Sequence, residues 1–228
     1  MIHVRISMAM TADGKTADEE GEWYPLCQYE RERFYRNIEW SDAVVVGADT
    51  VLTTNISFLS PSSLKNPLRA VIDPKLKTPI ERKVYDTLRG PVLIFSSKEA
   101  YNAKRDKIEK LNSKGIEIVT INEKEGYLST KEILNVLKKR GCEKILVVGG
   151  GRTNWFFLKE GLVDEFYITV TPYILGNTKY SPVSGSGFPF PGIKLELLSM
   201  EKCPCGEEVI LKYKVHNNLQ NILDKINE

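Results

Sequence analysis

The hydrophobic positions change period along the chain, and the changes mark out the elements. Ile2-His3-Val4-Arg5-Ile6-Ser7-Met8 alternates apolar and polar, which predicts a half-buried strand. A loop from Ala9 to Trp23 follows, with Asp13-Gly14 as its turn signal. Leu26 to Trp40 predicts a helix, with Leu26, Tyr29, Arg33 and Arg36 at helical spacing. Ala43-Val44-Val45-Val46 is a short β-branched run ending at Gly47, the pattern of a strand buried on both faces of a parallel sheet. Strands are further predicted at Leu68–Ile72, Val92–Phe95, Ile116–Ile121, Lys144–Val148 and Val163–Pro172. Helices are predicted at Lys98–Lys114, at Ser129–Arg140 with Thr130 as N-cap and Ile133, Leu134 and Leu137 as its apolar stripe, and at Arg152–Glu160. Lys194–Glu201 and Glu208–Val215 predict a terminal antiparallel pair. Leu219, Ile222, Leu223 and Ile226 suit one face of a short C-terminal helix or a frayed tail. Strands alternating with helices, then a run of strands, predict a single α/β domain over residues 1–216, with a mixed, mostly parallel sheet flanked by helices and a tail at 217–228.

Composition narrows the class without changing this picture. The chain has 228 residues, 42% hydrophobic and 27% charged, which is the make-up of an ordinary globule. The 32 Lys and Arg against 30 Asp and Glu leave a net charge of +2, which argues against a nucleic-acid partner. Apolar runs fall short of the roughly 20 residues of a membrane span, and the N-terminus lacks the features of a signal peptide. A cytoplasmic location with free thiols is expected, because four cysteines are too few for a disulfide framework. Cys203-Pro204-Cys205 is the one tight cysteine pair. It offers half a metal site at most, and Cys27 and Cys142 lie far away along the chain, so it is read as a turn between strands with no metal.

Gly149-Gly150-Gly151 is the most informative local feature. It follows an apolar strand and opens a helix, where backbone N–H groups can cradle a phosphate or pyrophosphate. Arg152 and Thr153 add a cation and a hydroxyl, and three glycines exceed what a turn needs. Gly47-Ala48-Asp49-Thr50 also follows a buried strand and serves either as an N-cap or as a second ligand loop, since ligands in open α/β sheets sit beyond the carboxyl ends of the strands. Asp13-Gly14-Lys15 places a carboxylate and an ammonium two residues apart in a loop, able to supply a proton and an anion contact, or simply a charged turn.

Met8 to Lys15 (Met-Ala-Met-Thr-Ala-Asp-Gly-Lys) resembles the M-S-x-D-G-K opening of the reductase domain of riboflavin biosynthesis, which has the dihydrofolate-reductase-like fold. Three further segments match in order. Asp42 to Leu52 is similar to D-A-I-x-V-G-x-x-T-V-L, and Asn66 to Asp73 with Leu76 and Pro79 to N-P-x-R-x-V-x-D…L…P. Gly149 through Trp155, Lys159 to Glu165 and Pro172 to Gly176 resemble the stand-alone archaeal form. The resemblance covers roughly residues 2 to 215. It implies an NADPH-dependent oxidoreductase, usually a homodimer, that converts the ribosylamino group of a pyrimidine 5′-phosphate to ribitylamino. No H-x-E and P-C-x-x-C pair is present, so the deaminase domain fused to bacterial relatives is not expected.

The resemblance also assigns residues. Thr50, Ser96, Gly149, Gly150, Gly151, Arg152 and Thr153 would hold the dinucleotide, with Lys98 at its 2′-phosphate. Asp13 and Lys15 would face the reacting end as catalytic residues, and Lys15 would meet the substrate phosphate; Arg36, two residues from the family's Arg position, could replace that Arg there only if the helix is rotated or ends early. The chain departs from the family at three substrate positions. Ile38 stands for an Arg, Val148 for a Glu, and Thr53-Thr54-Asn55-Ile56-Ser57-Phe58 for a D-D-P-x-L-T segment. Two alternatives therefore stay open: the same cofactor with another substrate such as a pterin-like heterocycle, or a nucleotide-binding protein without turnover.

Overall fold

The computed structural model describes residues 2–22, 26–61, 66–124 and 126–216. The predicted tail at 217–228 lies outside the described residues. The chain forms two compact units, one of Met1–Ile2 and Tyr35–Leu146, the other of His3–Phe34 and Val147–Glu228. No helix among the described residues is long and apolar enough to cross a membrane.

The first unit is built on β2 (Ala43–Gly47), β3 (Leu68–Ile72), β4 (Val92–Ser96), β5 (Glu117–Thr120) and β8 (Lys144–Val147), in the order β8-β2-β3-β4-β5. β2, β3, β4 and β5 pair in parallel. All five residues of β2 and all five of β4 are buried, as double-faced coverage of a parallel sheet requires. The helices are α2 (Ala48–Thr53), α3 (Lys98–Ala103), α4 (Arg105–Ser113) and α5 (Thr130–Lys139). α5 buries Ile133, Leu134 and Leu137, the predicted stripe. Its N-cap is Ser129 rather than Thr130, because the Ser129 hydroxyl accepts the Glu132 N–H at 3.3 Å. The predicted helix at Lys98–Lys114 is two helices, parted at Lys104, whose φ of −119° and ψ of 46° leave the helical basin. A small hairpin of β6 (Glu123–Lys124) and β7 (Tyr127–Leu128) was not anticipated.

The second unit holds β1 (His3–Thr11), β9 (Glu165–Thr171), β10 (Lys194–Lys202) and β11 (Val209–His216), in the order β10-β11-β9-β1, with α6 (Gly151–Lys159). α1 (Gln28–Trp40) runs from this unit into the first. β1 extends three residues past its predicted end, since its parallel pairing with β9 continues to Thr11 opposite Thr171. β9 pairs antiparallel with β11, and β11 with β10. Parallel pairs thus dominate with an antiparallel end, the predicted mixed α/β arrangement.

The Asn-Pro-Leu-Arg-x-Val-x-Asp segment is explained by this framework. Arg69 is fully buried in β3. Its guanidinium donates to the carbonyls of Val84 at 3.0 Å, Asp86 at 2.6 Å and Gly90 at 2.7 Å. Burial pushes its pKa down to about 10, which still leaves it charged at neutral pH. Asp73, also fully buried, accepts from the N–H of Lys77 and from the N–H and hydroxyl of Thr78. The two residues pin the irregular segment 74–90 to the end of β3. Arg69→Met leaves three carbonyls short of a donor and is expected to cost about 3 kcal/mol, read as a lower urea midpoint. An unchanged midpoint would remove Arg69 from this role.

Candidate functional site

Each unit carries part of the predicted constellation. In the first, the carboxyl ends of β2, β3 and β4 lie side by side, since Gly47 registers with Ile72 and Ile72 with Phe95. Thr50 falls in α2, whose N-cap is Gly47 with no side-chain cap. The predicted Gly47–Thr50 loop is therefore a helix start, and Asp49 forms an exposed ion pair with Lys77 at 2.5 Å. Ser96 is fully buried, and its hydroxyl donates to the Pro74 carbonyl at 3.3 Å. Its neighbour Ser97 caps α3 by accepting the Ala100 N–H at 3.1 Å. Lys98 is exposed on the first turn of α3. Arg36 is exposed on α1. Ile38 is a fully buried core residue, so no substrate contact can come from that position.

In the second unit the three glycines have three different reasons. Gly149 has φ +97°, and a β-carbon there would lie 3.1 Å from the Met8 sulfur. A β-carbon on Gly151 would lie 2.3 Å from the Ser181 carbonyl oxygen and 2.5 Å from the Ser184 hydroxyl, so Gly151 makes room for the 181–184 segment. Gly150 has φ −68° and ψ −172°, a conformation open to any residue. It is the N-cap of α6, with no side-chain capping bond. Among the described residues no side chain caps the first turn of α6, and the helix dipole at such an end favours an anion. Arg152 is exposed in that turn and Thr153 is buried. A helix start of this kind is able to receive a phosphate or pyrophosphate. Val148, where the family has Glu, is buried.

The segment after β9 is fastened onto α6 and onto the turn after β1. Trp155 of α6 donates from Nε1 to the Ser186 carbonyl at 2.7 Å, and its ring fills the space where a Gly185 side chain would be. Fully buried Asn154 donates to the Pro182 carbonyl at 2.7 Å, while its Oδ1 has no hydrogen-bond partner among the described residues. Lys15 donates from Nζ to the Thr178 carbonyl at 3.1 Å, which orients its ammonium. Asp13 accepts from the Thr11 hydroxyl at 2.5 Å and from the N–H groups of Leu175 and Gly176. The Thr11 hydroxyl and those two amides hold the Asp13 carboxyl below the usual carboxylate range. Asp13 thus sits ionised as the tie between two loops, a geometry unsuited to releasing a proton near neutral pH. The sequence signal for this role was the short Asp-Gly-Lys turn, but its partner at 175–176 is about 160 residues away along the chain.

A carboxyl with a depressed folded pKa stabilises its contacts above its unfolded value near pH 4 and loses them as the pH falls through the folded value. Protection of the Gly176 amide, relative to its intrinsic exchange rate at each pH, is therefore expected to hold at pH 5 and to fall only in stronger acid. Asp13→Asn should lower it about tenfold at pH 5. Equal exchange in the variant and the parent would show that Asp13 does not hold this loop.

Comparison with known proteins fits this geometry. The pattern of the RibD C-terminal domain family matches residues 2–209. The riboflavin biosynthesis protein RibD of Aquifex aeolicus (strain VF5) is 30% identical over 178 residues, 76% of this chain and 47% of that protein. The chain spans about half the length of the RibD relatives it matches. The 2,5-diamino-6-ribosylamino-4(3H)-pyrimidinone 5′-phosphate reductase of the same organism is 26% identical over 225 residues, covering 96% of this chain and 98% of that protein. Among solved structures, Acinetobacter baumannii RibD superposes with a TM-score of 0.78 at 22% identity, over 95% of this chain and 58% of that one. Dihydrofolate reductase from Enterococcus faecalis, complexed with NADP(H) and RAB-propyl, superposes at 0.50 and 12% identity, over 94% and 96% of the two chains. These likenesses show the α/β fold of the dihydrofolate-reductase type.

Proposed function

The chain belongs to the RibD C-terminal domain family, and from that membership we propose that it is an NADPH-dependent reductase converting the ribosylamino group of a pyrimidine 5′-phosphate to ribitylamino. The observation that carries the proposal is the uncapped start of α6 at Gly150, in a chain that aligns with nearly the whole length of a pyrimidinone-phosphate reductase. The residues fit a dinucleotide. Gly150 and the N–H groups of Gly151, Arg152 and Thr153 receive a pyrophosphate, and the exposed Arg152 offers a charge-assisted contact; Lys98, exposed in the first unit, is proposed for the 2′-phosphate from the family resemblance alone. Thr50 and Ser96 belong to the same proposed set; with the Ser96 hydroxyl given to Pro74, its part is to hold the β4 edge.

The reaction adds two hydrogens: NADPH when bound supplies the hydride, and a proton must reach the sugar oxygen released as the ring opens. In this reading the Lys15 ammonium, aimed by the Thr178 carbonyl, meets the substrate as anion contact and proton donor. Asp13 is a positioning residue that holds Lys15's loop against 175–176. Arg36 is a weaker phosphate partner on exposed α1. A cytoplasmic homodimer completes the proposal. Edge strand β10 leaves Leu197, Leu198 and Met200 at least half exposed, an apolar row suited to a second copy. The buried Ile38 and Val148, at positions where the family has Arg and Glu, favour one second reading: the same cofactor with a different heterocycle.

The test follows NADPH absorbance with the ribosylamino-pyrimidine phosphate and, separately, with dihydrofolate. Oxidation with the pyrimidine alone is expected, with tighter binding of NADPH than NADH. Lys15→Ala should raise KM at least about tenfold, the loss of about 1.4 kcal/mol of charged contact. Oxidation with dihydrofolate instead, or unchanged kinetics in Lys15→Ala, would overturn this assignment.

A further inference from the structure

Three cysteines and a glutamate from opposite ends of the chain meet in the second unit. Cys27 directly precedes α1, while Cys203, Cys205 and Glu208 lie on the turn between β10 and β11. One ligand atom from each lies within 4.8 Å of every other, the one such cluster among the described residues. Sequence spacing separated Cys27 from the Cys203-Pro204-Cys205 pair, but in space its sulfur is 3.6 Å from that of Cys203. Cys203 and Glu208 are buried, at 2% and 4% exposure, and Cys27 and Cys205 are partly so.

We propose that Cys27, Cys203, Cys205 and Glu208 form a structural site for a thiophilic divalent cation, with Zn²⁺ as the fitting ion, which staples the start of α1 to the β10–β11 turn. Tetrahedral coordination at a Zn–S distance of about 2.3 Å places sulfur atoms about 3.8 Å apart. The Cys27–Cys203 separation already matches that spacing. The Cys27 sulfur is 2.9 Å from Glu208 Oε2, so this edge opens by roughly half an ångström as both atoms turn to the metal. Three thiolates and a carboxylate supply four ligands, a closed set with no open position for substrate.

The surroundings are built for such a site. The turn is closed by the Cys203 N–H on the Glu208 carbonyl and the Gly206 N–H on the Cys203 carbonyl, both at 2.8 Å. Gly206 takes φ +87°, which lets two cysteines two residues apart face one point. The Cys27 sulfur accepts the Glu30 N–H at 3.3 Å, so it sits at the positive end of the 13-residue α1. Arg33 bridges the ligands from behind, donating to the Cys203 sulfur at 3.3 Å and to Glu208 Oε2 at 3.2 Å. Arg33 is held by Glu30 at 2.7 Å, and Glu30 by the Thr169 hydroxyl at 2.7 Å. Such outer partners orient ligands and balance charge. Three thiolates and a carboxylate carry −4, Zn²⁺ brings this to −2, and the Arg33 guanidinium offsets one unit more.

The full-length protein, stripped with chelator under reducing conditions, is titrated with Zn²⁺ and with Co²⁺ as a spectroscopic probe. One ion per chain should bind with a dissociation constant below about 1 µM. Cobalt should give a thiolate charge-transfer band and tetrahedral visible bands. Cys205→Ser and Cys27→Ser should each lower the charge-transfer intensity by about one third, while Cys142→Ser, which is not one of the ligands, leaves it unchanged. Zinc should raise the thermal midpoint of the stripped parent protein, a readout that stands even if a ligand variant fails to fold. Binding weaker than about 1 µM, or a Cys27–Cys203 disulfide whose reduction yields no metal uptake, would overturn the proposal. A charge-transfer band equally lost in Cys142→Ser would do the same. None of these readouts depends on reductase activity.

Discussion

The second unit depends on a backbone approach that leaves no room for side chains. The 181–188 segment lies so close to α6 that Gly151 cannot carry a β-carbon beneath the Ser181 carbonyl, nor Gly185 one against the Trp155 ring. The contact fixes the start of α6 from one side. It also aligns the rest of the segment so that Thr178 meets Lys15 and Gly176 meets Asp13. Packing, not propensity, places the start of this helix. A side chain at either glycine would have to push the segment away, and with it the two loops tied by Asp13.

Electrostatics follow the same logic in both units. Asp13 and Asp73 are spent on backbone N–H groups, and Arg69 on backbone carbonyls. Each fastens a segment of loop or short 3-10 turns, where buried backbone groups need partners from side chains. In the second unit this division leaves Lys15, partly exposed, and Arg152, exposed, as cations available to the proposed site.

Much of the fold was legible because its signals are local. The valines of β2 and the stripe of α5 appear in the predicted places, since periodicity reports burial directly. Lys104 shows the limit: a continuous run of charged and apolar residues gives no sign of a break, and the change from α3 to α4 is set by backbone angles at one residue. The glycine run was legible as a special turn, yet only the structure shows that a β-carbon at Gly149 or Gly151 would meet Met8 or the 181–184 segment. Arg69 and Asp73 carried family resemblance with no role attached, because their partners are loop carbonyls and amides that sequence does not reveal. Cys27 was missed beside Cys203 for the same reason: a separation of 176 residues says nothing about distance in a folded chain.

The central claim is that the open N-terminus of α6 receives the dinucleotide's phosphates. It is tested most directly by following backbone amide resonances while NADP⁺ is added. The account predicts that Gly150, Gly151 and Arg152 show the largest shifts, with Gly141, at the end of α5, unmoved. Saturable binding of NADP⁺ with those three amides unchanged would contradict it.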